Sequence, residues 1–269
     1  MRPHALSAGG ASVRFGLAAS CALAFAFATR PAAAQIVNVQ PLVAQDRKAG
    51  LKVTFEGSID ARSGNTRLLL LAGSSLVHYL SGPNLFFVLL RGELGKTAGN
   101  EFARKHFEHV RYRRVVAGPV DFEFYAQYQE DVFRRLAVRA LVGAGPRLRA
   151  VDWTWFQVAF GCTPFVEYEQ LASGVEPDAS EHGYDVRLST YSVIAVQPSE
   201  RLKVSQTIYV QPRVDRFRDA RVLHEVEGLA VVNKHLAFKG TISSMYDSRP
   251  PFGVAPLDTT VKSTVQITF

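Results

Sequence analysis

The sequence predicts an all-β fold: an antiparallel transmembrane β-barrel of about twelve strands, following an N-terminal signal peptide. Three observations carry this expectation. Long segments alternate apolar and polar residues with a period of two, which is the strand period. About twelve such segments follow one another, an even number, as single-chain bacterial barrels require when both termini lie on one side. The chain also opens on an export segment and closes on a terminal aromatic residue, Phe269.

Arg2 and Arg14 lie before or at the edge of the apolar run Phe15–Ala28, and Ala32-Ala33-Ala34 offers a small-residue cleavage site before Gln35. That layout is a secretory signal peptide over residues 1–34. Its apolar run is well short of the ~20 residues a spanning helix needs. Cleavage leaves 269 − 34 = 235 residues and removes Arg2, Arg14 and Arg30, lowering the formal charge from +7 to +4. With so little charge, and no basic run interleaved with stacking aromatics, nucleic acid is excluded as a partner. One cysteine, Cys162, remains, so no intramolecular disulfide can hold the fold.

Residues 35–49 are expected as a periplasmic N-terminal segment and residues 50–269 as the barrel. The richest apolar runs, Leu68 to Gly73 and Leu85 to Leu90, are too short for a membrane helix. A closed barrel is then the membrane architecture left, because lipid cannot satisfy open strand edges.

The first strand sets the pattern. Leu51, Val53, Phe55 and Ile59 alternate with Lys52, Thr54, Glu56 and Asp60. Similar segments are expected near 51–62, 66–80, 84–96, 102–116, 120–130, 135–150, 154–170, 184–197, 201–213, 220–232, 236–247 and 258–269. A strand of ~12 residues tilted ~45° spans the ~25 Å apolar band of such a barrel, whereas globular strands average ~5–6 residues. Ser81-Gly82-Pro83, Ala117-Gly118-Pro119, Pro198-Ser199-Glu200 and Asn233-Lys234 have the chemistry of tight turns. The long connections, Leu171 to Gly183 and Ser248 to Leu257, fall in the other set, so short turns and both termini are assigned to the periplasmic side.

Aromatics follow the same layout. Phe86, Phe122, Trp155, Phe156, Phe238 and Phe269 fall toward the periplasmic rim, and Tyr128, Tyr168, Tyr184 and Tyr246 toward the outer rim. In the last strand Val265, Ile267 and Phe269 share one face. A terminal Phe after alternate apolar residues looks like the signal read by the barrel assembly machinery, which is therefore an expected partner beside outer-membrane lipid.

Charges on the wet faces are expected to line the lumen: Lys52, Glu56, Asp60, Arg111, Arg113, Asp121, Glu123, Arg135, Arg139, Glu167 and Glu169. Turn positions suggest Arg113 beside Asp121, Arg111 beside Glu123, Arg135 opposite Glu169 and Arg139 diagonal to Glu167. Opposed cross-strand charges gain roughly 0.2–1 kcal/mol, whereas a midplane Arg or Lys on the lipid face costs ~2–4 kcal/mol. Such a lining serves either a passive small-solute pore or a wall closed by its own ion pairs. The rival is a soluble periplasmic or secreted barrel whose oily face turns inward around an apolar ligand.

No enzyme, cofactor or metal site is expected. An outer-membrane lipase needs Ser, His and an orienting acid or amide on the lipid-facing rim. His224 has outward parity, but no serine can be placed beside it from sequence. His106 and His109 are three apart and face opposite ways. His182, with Glu176, Asp178 and Glu181, is read as a solvated loop residue. The expected product is a monomeric protein of the Gram-negative outer membrane.

Pro146, Pro164 and Pro212 interrupt expected strands, where proline is normally confined to edges or bulges. Leu68 to Val77 is apolar on both faces over its first half, and a segment such as Gln35 to Ala49 could fold inward against it.

Val37-Asn38-Val39-Gln40-Pro41-Leu42, the first alternating strand and Ser63-Gly64-Asn65-Thr66 resemble the start of a bacterial family described as salt-induced outer-membrane proteins, a domain of unknown function. Tyr128 to Leu136, leading to Val142-Gly143-Ala144-Gly145, is similar to its middle region. The resemblance spans roughly 36–269 and implies an outer-membrane barrel. It carries no catalytic residues to transfer.

Overall fold

A computed structural model of the protein describes residues 36–40, 49–62, 68–98, 100–174 and 177–269. The expected signal peptide and its cleavage site lie outside these residues. Twelve strands form: β1 (Gly50–Arg62), β2 (Leu68–Ser81), β3 (Asn84–Thr97), β4 (Asn100–Ala117), β5 (Val120–Asp131), β6 (Leu136–Asp152), β7 (Phe156–Leu171), β8 (His182–Ser199), β9 (Leu202–Pro212), β10 (Ala220–Val231), β11 (Leu236–Asp247) and β12 (Leu257–Thr268). Each pairs antiparallel with its sequence neighbours, and β1 returns to β12, closing the cylinder. Among the described residues the single helical element is the short 3-10 turn Val132–Arg134.

The period-two pattern becomes inside and outside. In β1, Leu51, Phe55 and Ile59 are exposed on the outer surface, while Thr54 is buried within and Glu56 faces the same way. The outer wall continues through Val88, Val110, Phe124, Val142, Val166, Ile194, Ile208 and Val265. A band of exposed aliphatic and aromatic side chains around a closed cylinder is the surface of a transmembrane barrel. The soluble rival, with its oily face inward, is overturned by this orientation.

The two ends differ. At one end lie the short turns and the C-terminus, with Gly82 (φ 55°) and Gly118 (φ 49°) taking the left-handed conformation those turns need. At the other lie the longest connections, 172–181, 213–219 and 248–256. Phe86, Phe122, Trp155, Phe238 and Phe269 are exposed at the short-turn end, and Tyr184 and Tyr246 at the long-loop end.

The prolines find tolerant places. Pro146 and Pro164 fall together in a gap of the β6–β7 ladder, between the pairs Gly143↔Phe165 and Arg147↔Gly161. Neither can donate to a ladder, so placing both in one gap limits the loss. Pro212 ends β9 opposite Ala220.

One ladder is short. β1 and β12 pair only from Thr54↔Thr268 to Gly57↔Val265, whereas β11 and β12 pair from Leu236↔Ile267 to Tyr246↔Leu257.

Candidate functional site in the barrel lumen

The lumen is filled rather than open. Inward glycines on β6 and β7 begin the explanation. A Cβ on Gly143 would lie 2.6 Å from the Tyr125 ring, and one on Gly161 would lie 2.2 Å from the Tyr191 ring. Their bare backbone lets both tyrosines lie across the interior. Tyr125 then donates to or accepts from the Thr163 hydroxyl at 3.0 Å, and the Tyr191 hydroxyl donates to Glu123 Oε2 at 2.6 Å.

Glu123, fully buried, is the first hub. It accepts from Arg113 Nε at 2.6 Å and Arg111 Nη1 at 3.3 Å. Arg111 is also stacked over the Tyr125 and Phe87 rings. Beside it Asp121 accepts from Arg147 at 2.7 Å and Arg149 at 3.1 Å. Glu167 is the second hub, nearer the long-loop end. It accepts from Arg139 at 2.8 Å, Arg187 at 2.6 Å and Arg221 at 3.1 and 3.2 Å. Arg221 continues to Glu169 at 2.8 Å and Asp247 at 3.1 Å, and Arg187 to Asp219 at 3.0 Å. A third link joins Lys239 to Glu56 at 2.5 Å.

The Tyr191–Glu123 bond, β8 to β5, and the Arg221 bonds to Glu167 and Glu169, β10 to β7, join non-neighbouring strands and so pass through the interior, while the other arginines reach the hubs from adjacent strands. Removing one partner of a buried pair leaves an uncompensated charge, at ~3–5 kcal/mol. Both hubs are therefore set in place by their partners.

The chain supplies its own plug. Ile36, Asn38, Val39 and Gln40 are all buried inside the barrel. Val39 packs with Leu76, Leu85, Phe87, Leu89 and Phe107, with Val37 and Leu80 against them. Ile36 packs with Tyr191, Val193, Tyr209, Leu223 and Met245. Asn38 donates to Glu225 Oε1 at 2.9 Å, and Arg113 donates to Gln40 Oε1 at 3.1 Å, tying the plug to the first hub. These five residues belong to the segment expected on the periplasmic side, and they lie in the lumen against the inward leucines of β2. On the short-turn side of the plug a vestibule of about 840 Å³ opens, lined by Lys52, His78, Lys203, Glu227 and Gln266 among others.

At the long-loop end the connections cover the mouth. Arg134 bonds Asp258 at 2.5 Å. Arg135 donates to Asp178 Oδ1 at 2.6 Å and to the Phe252 carbonyl at 2.8 Å, while the Phe252 N–H donates to Asp178 at 2.7 Å. Desolvation, the largest single influence, pushes the Asp178 carboxyl up, but the bonds from the Phe252 N–H and Arg135, with the charge of Arg135, together hold it below the ordinary carboxylate value.

Most sequence-derived positions therefore face the lumen, but their partners differ. Arg111 and Arg139 bond Glu123 and Glu167, and the diagonal Arg139–Glu167 placement is the one observed. Arg113 does not meet Asp121. A bulge between Val115 and Ala117 shifts the β4–β5 register, so Arg113 lies opposite Glu123 and Asp121 turns to Arg147 and Arg149. Arg135 does not lie opposite Glu169. It caps the 3-10 turn in a left-handed conformation (φ 59°) outside β6, and Arg139 takes the place opposite Glu169. Lys52 and Asp60 keep their inward parity in β1. Val265, Ile267 and Phe269 are exposed on the outer face.

Sequence reasoning missed Tyr191, Arg187 and Arg221, while the inward-folding segment it raised, Gln35 to Ala49 against β2, is seen at Ile36–Gln40, where Val39 packs on Leu76. The signal for the missed residues was the inward odd-numbered parity of β8 for Arg187 and Tyr191, and of the first residues of β10 for Arg221.

The histidines separate as expected by parity: His106 is outside and His109 inside, stacked against Phe87, Phe107 and Tyr125. On the outer wall the structure supplies a serine that the sequence could not place, since Ser244 lies opposite His224 and Gln206 bonds the His224 ring at 2.9 Å. The Ser244 hydroxyl, however, is within 3.1 Å of Thr259 Oγ1 rather than bonded to the imidazole.

The chain is similar, at low identity, to several solved structures. The NanC porin superposes with a TM-score of 0.48 at 9% identity, covering 81% of this chain and 98% of that one. The translocator domain of the autotransporter NalP from Neisseria meningitidis gives 0.46 at 8% identity, covering 83% and 89%. The KdgM porin gives 0.42 at 9% identity, covering 81% and 98%. No curated protein matches the chain by sequence. The profile of a family described as "Protein of unknown function, DUF481" matches residues 56–269, and the chain belongs to that family.

Proposed function

We propose that this member of the DUF481 family is an outer-membrane barrel whose resting state is closed, an envelope protein rather than a constitutively open pore. One observation carries this reading: the Glu123 and Glu167 hubs cross the lumen at two levels, and the Ile36–Gln40 plug is bonded to the first. A conducting lumen needs a continuous water-filled path, and charged rings tune its selectivity only where they face that water. Here those charges face one another. The short-turn end and vestibule are assigned to the periplasm and the capped mouth to the exterior. The salt-induced designation of the resembling family belongs to the same reading, and transcript levels under raised salt test it.

The partners are outer-membrane lipid and the assembly machinery, which would read Val265, Ile267 and Phe269; nucleic acid is not among them. The barrel works as a monomer without cofactor, metal or catalysis. Against catalysis at His224 stands the engagement of Ser244 by Thr259.

The alternative, a small-solute pore, requires the plug to leave, and the 840 Å³ vestibule beneath it favours considering that route. Planar-bilayer recording separates the two. Silence of the wild type, and of a variant in which Asn38→Ala and Gln40→Ala loosen the plug, supports the closed barrel. Steady unitary conductance of the wild type overturns it, and conductance confined to the loosened variant assigns a gated pore.

A further inference from the structure

The plug is held as a ligand is held, through its side chains. Residues 36–40 form no strand, and among the described residues none of their backbone groups bonds to the backbone of the wall. The Ile36 N–H donates to Met245 Sδ at 3.3 Å, and the Gln40 N–H to Asn38 Oδ1, within the plug itself, at 3.1 Å. A segment belonging to the sheet would be fixed by a ladder instead.

Its side chains alternate across the lumen with the period of an extended chain. Ile36 and Asn38 turn to one side of the cylinder: Ile36 enters the pocket of Tyr191, Tyr209, Leu223 and Met245 on β8–β11, and Asn38 donates to Glu225 on β10. Val37 and Val39 turn to the other side, against Leu76, Phe87 and Phe107 on β2–β4. The alternation ends at Gln40, where the chain bends and the carboxamide accepts from Arg113 on β4. Four subsites result: two apolar pockets, a carboxylate that takes an amide N–H, and a guanidinium that donates to an amide oxygen. Hydrogen bonds to ionised partners are the stronger and more selective kind. Every one of these partners stands on a strand of the closed wall, so the site is built from elements that the plug does not help to form. The vestibule of about 840 Å³ opens the way to it from the short-turn side.

We propose that this part of the lumen is a binding site for an extended peptide of another polypeptide, entering from the short-turn side, and that Ile36–Gln40 is its tethered, autoinhibitory occupant. The incoming peptide carries apolar residues at its first and fourth positions, asparagine at the third and glutamine at the fifth. Residues 41–48 are a short tether, and a short tether holds its ligand at an effective concentration on the order of millimolar. A competitor therefore enters when it offers more contact or when the anchors of the resident segment are weakened. This rests on the closed-barrel reading and names the class of ligand for which the plug stands in.

Fluorescence anisotropy of the full chain in phosphatidylcholine nanodiscs tests it. The probe is an acetylated peptide with the sequence of residues 36–41, labelled at its C-terminal end. Asn38→Ala/Gln40→Ala removes both polar anchors of the resident segment, and this variant binds the probe saturably, about tenfold or more tighter than the wild type, whose own segment competes. Val39→Asp sets a carboxylate among Leu76, Phe87 and Leu89, ejects the segment by a second route, and gives the same result. A probe with alanine in place of both carboxamides loses about tenfold or more in affinity, the scale of hydrogen bonds to charged groups. No saturable binding to either variant, or equal binding of the two probes, means that the segment is seated only as part of its own chain and overturns the proposal. Failure of the closed-barrel reading is distinguishable, since it appears as steady conductance of the wild type with no peptide added.

Discussion

Opposite sides of this barrel are held by different means. From β5 to β8 the ladders span the strands from end to end, from Asp152↔Gln157 to Leu136↔Leu171 between β6 and β7 with one gap at Pro146 and Pro164, and the enclosed side chains are knotted to Glu123 and Glu167. At β1–β12 the pairing covers only Val53 to Gly57, and the inner lysines rest on Glu93 at 3.7 Å. The contrast shows that closure of a cylinder and cohesion of its wall are separable. A few residue pairs make the topology closed, while buried ionic hubs and long ladders make one side rigid.

The largest expected break of this contrast is Glu123→Gln. It strands Arg111 and Arg113 in the interior and costs ~3–5 kcal/mol, seen as a drop in the temperature at which the folded gel band converts to the unfolded one. An unchanged transition would mean that the hub is hydrated and does not hold the rigid side. Gly161→Ala comes next. Its Cβ would meet the Tyr191 ring at 2.2 Å, and overpacking of this kind costs ~1–3 kcal/mol. Gly240→Ala, with nothing within 4 Å of its added carbon, is the control, at under ~0.5 kcal/mol.

Hydrogen exchange sharpens the comparison further. The amides of Ile59, Ala61, Val261 and Ser263 should exchange about tenfold or more faster than those of Leu141 and Phe165, because locally opened segments exchange without global unfolding. Equal protection would mean that the seam is zipped in solution.

The smallest effect concerns the outer mouth. Asp178 has a lowered pKa in the folded protein, so its contribution is complete above the unfolded value of ~3.9 and is lost as pH falls through the folded one. Loop 248–256 should gain protease sensitivity in acid only below about pH 4. Asp178→Asn should show that sensitivity at neutral pH, and a wild-type loop cut equally at pH 7 would remove the role given to this contact.

Much of the wall was legible from residues alone. β1, β3 and β12 could be placed because Leu51, Phe55 and Ile59, or Val265, Ile267 and Phe269, recur every second residue beside polar neighbours. The candidate site was legible only in part. Parity put Arg111, Glu123, Arg139 and Glu167 inside, but it could not say which strands they reach across. The bulge at Val115/Ala117 redirected Asp121, and the 3-10 turn removed Arg135 from β6. Ser244 beside His224 was likewise a matter of register.

By itself, then, the sequence determined the alternation, the strand number and the sorting of oily and ionic faces, because each follows from the fixed two-residue period of an extended chain in contact with lipid. The tertiary structure decided that the ionic face closes on itself, that Ile36–Gln40 enters the lumen, and that β1 meets β12 over so short a length. Those outcomes depend on which residues from distant strands share the interior, and on how far two chain ends overlap when the cylinder closes. No local pattern encodes either distance.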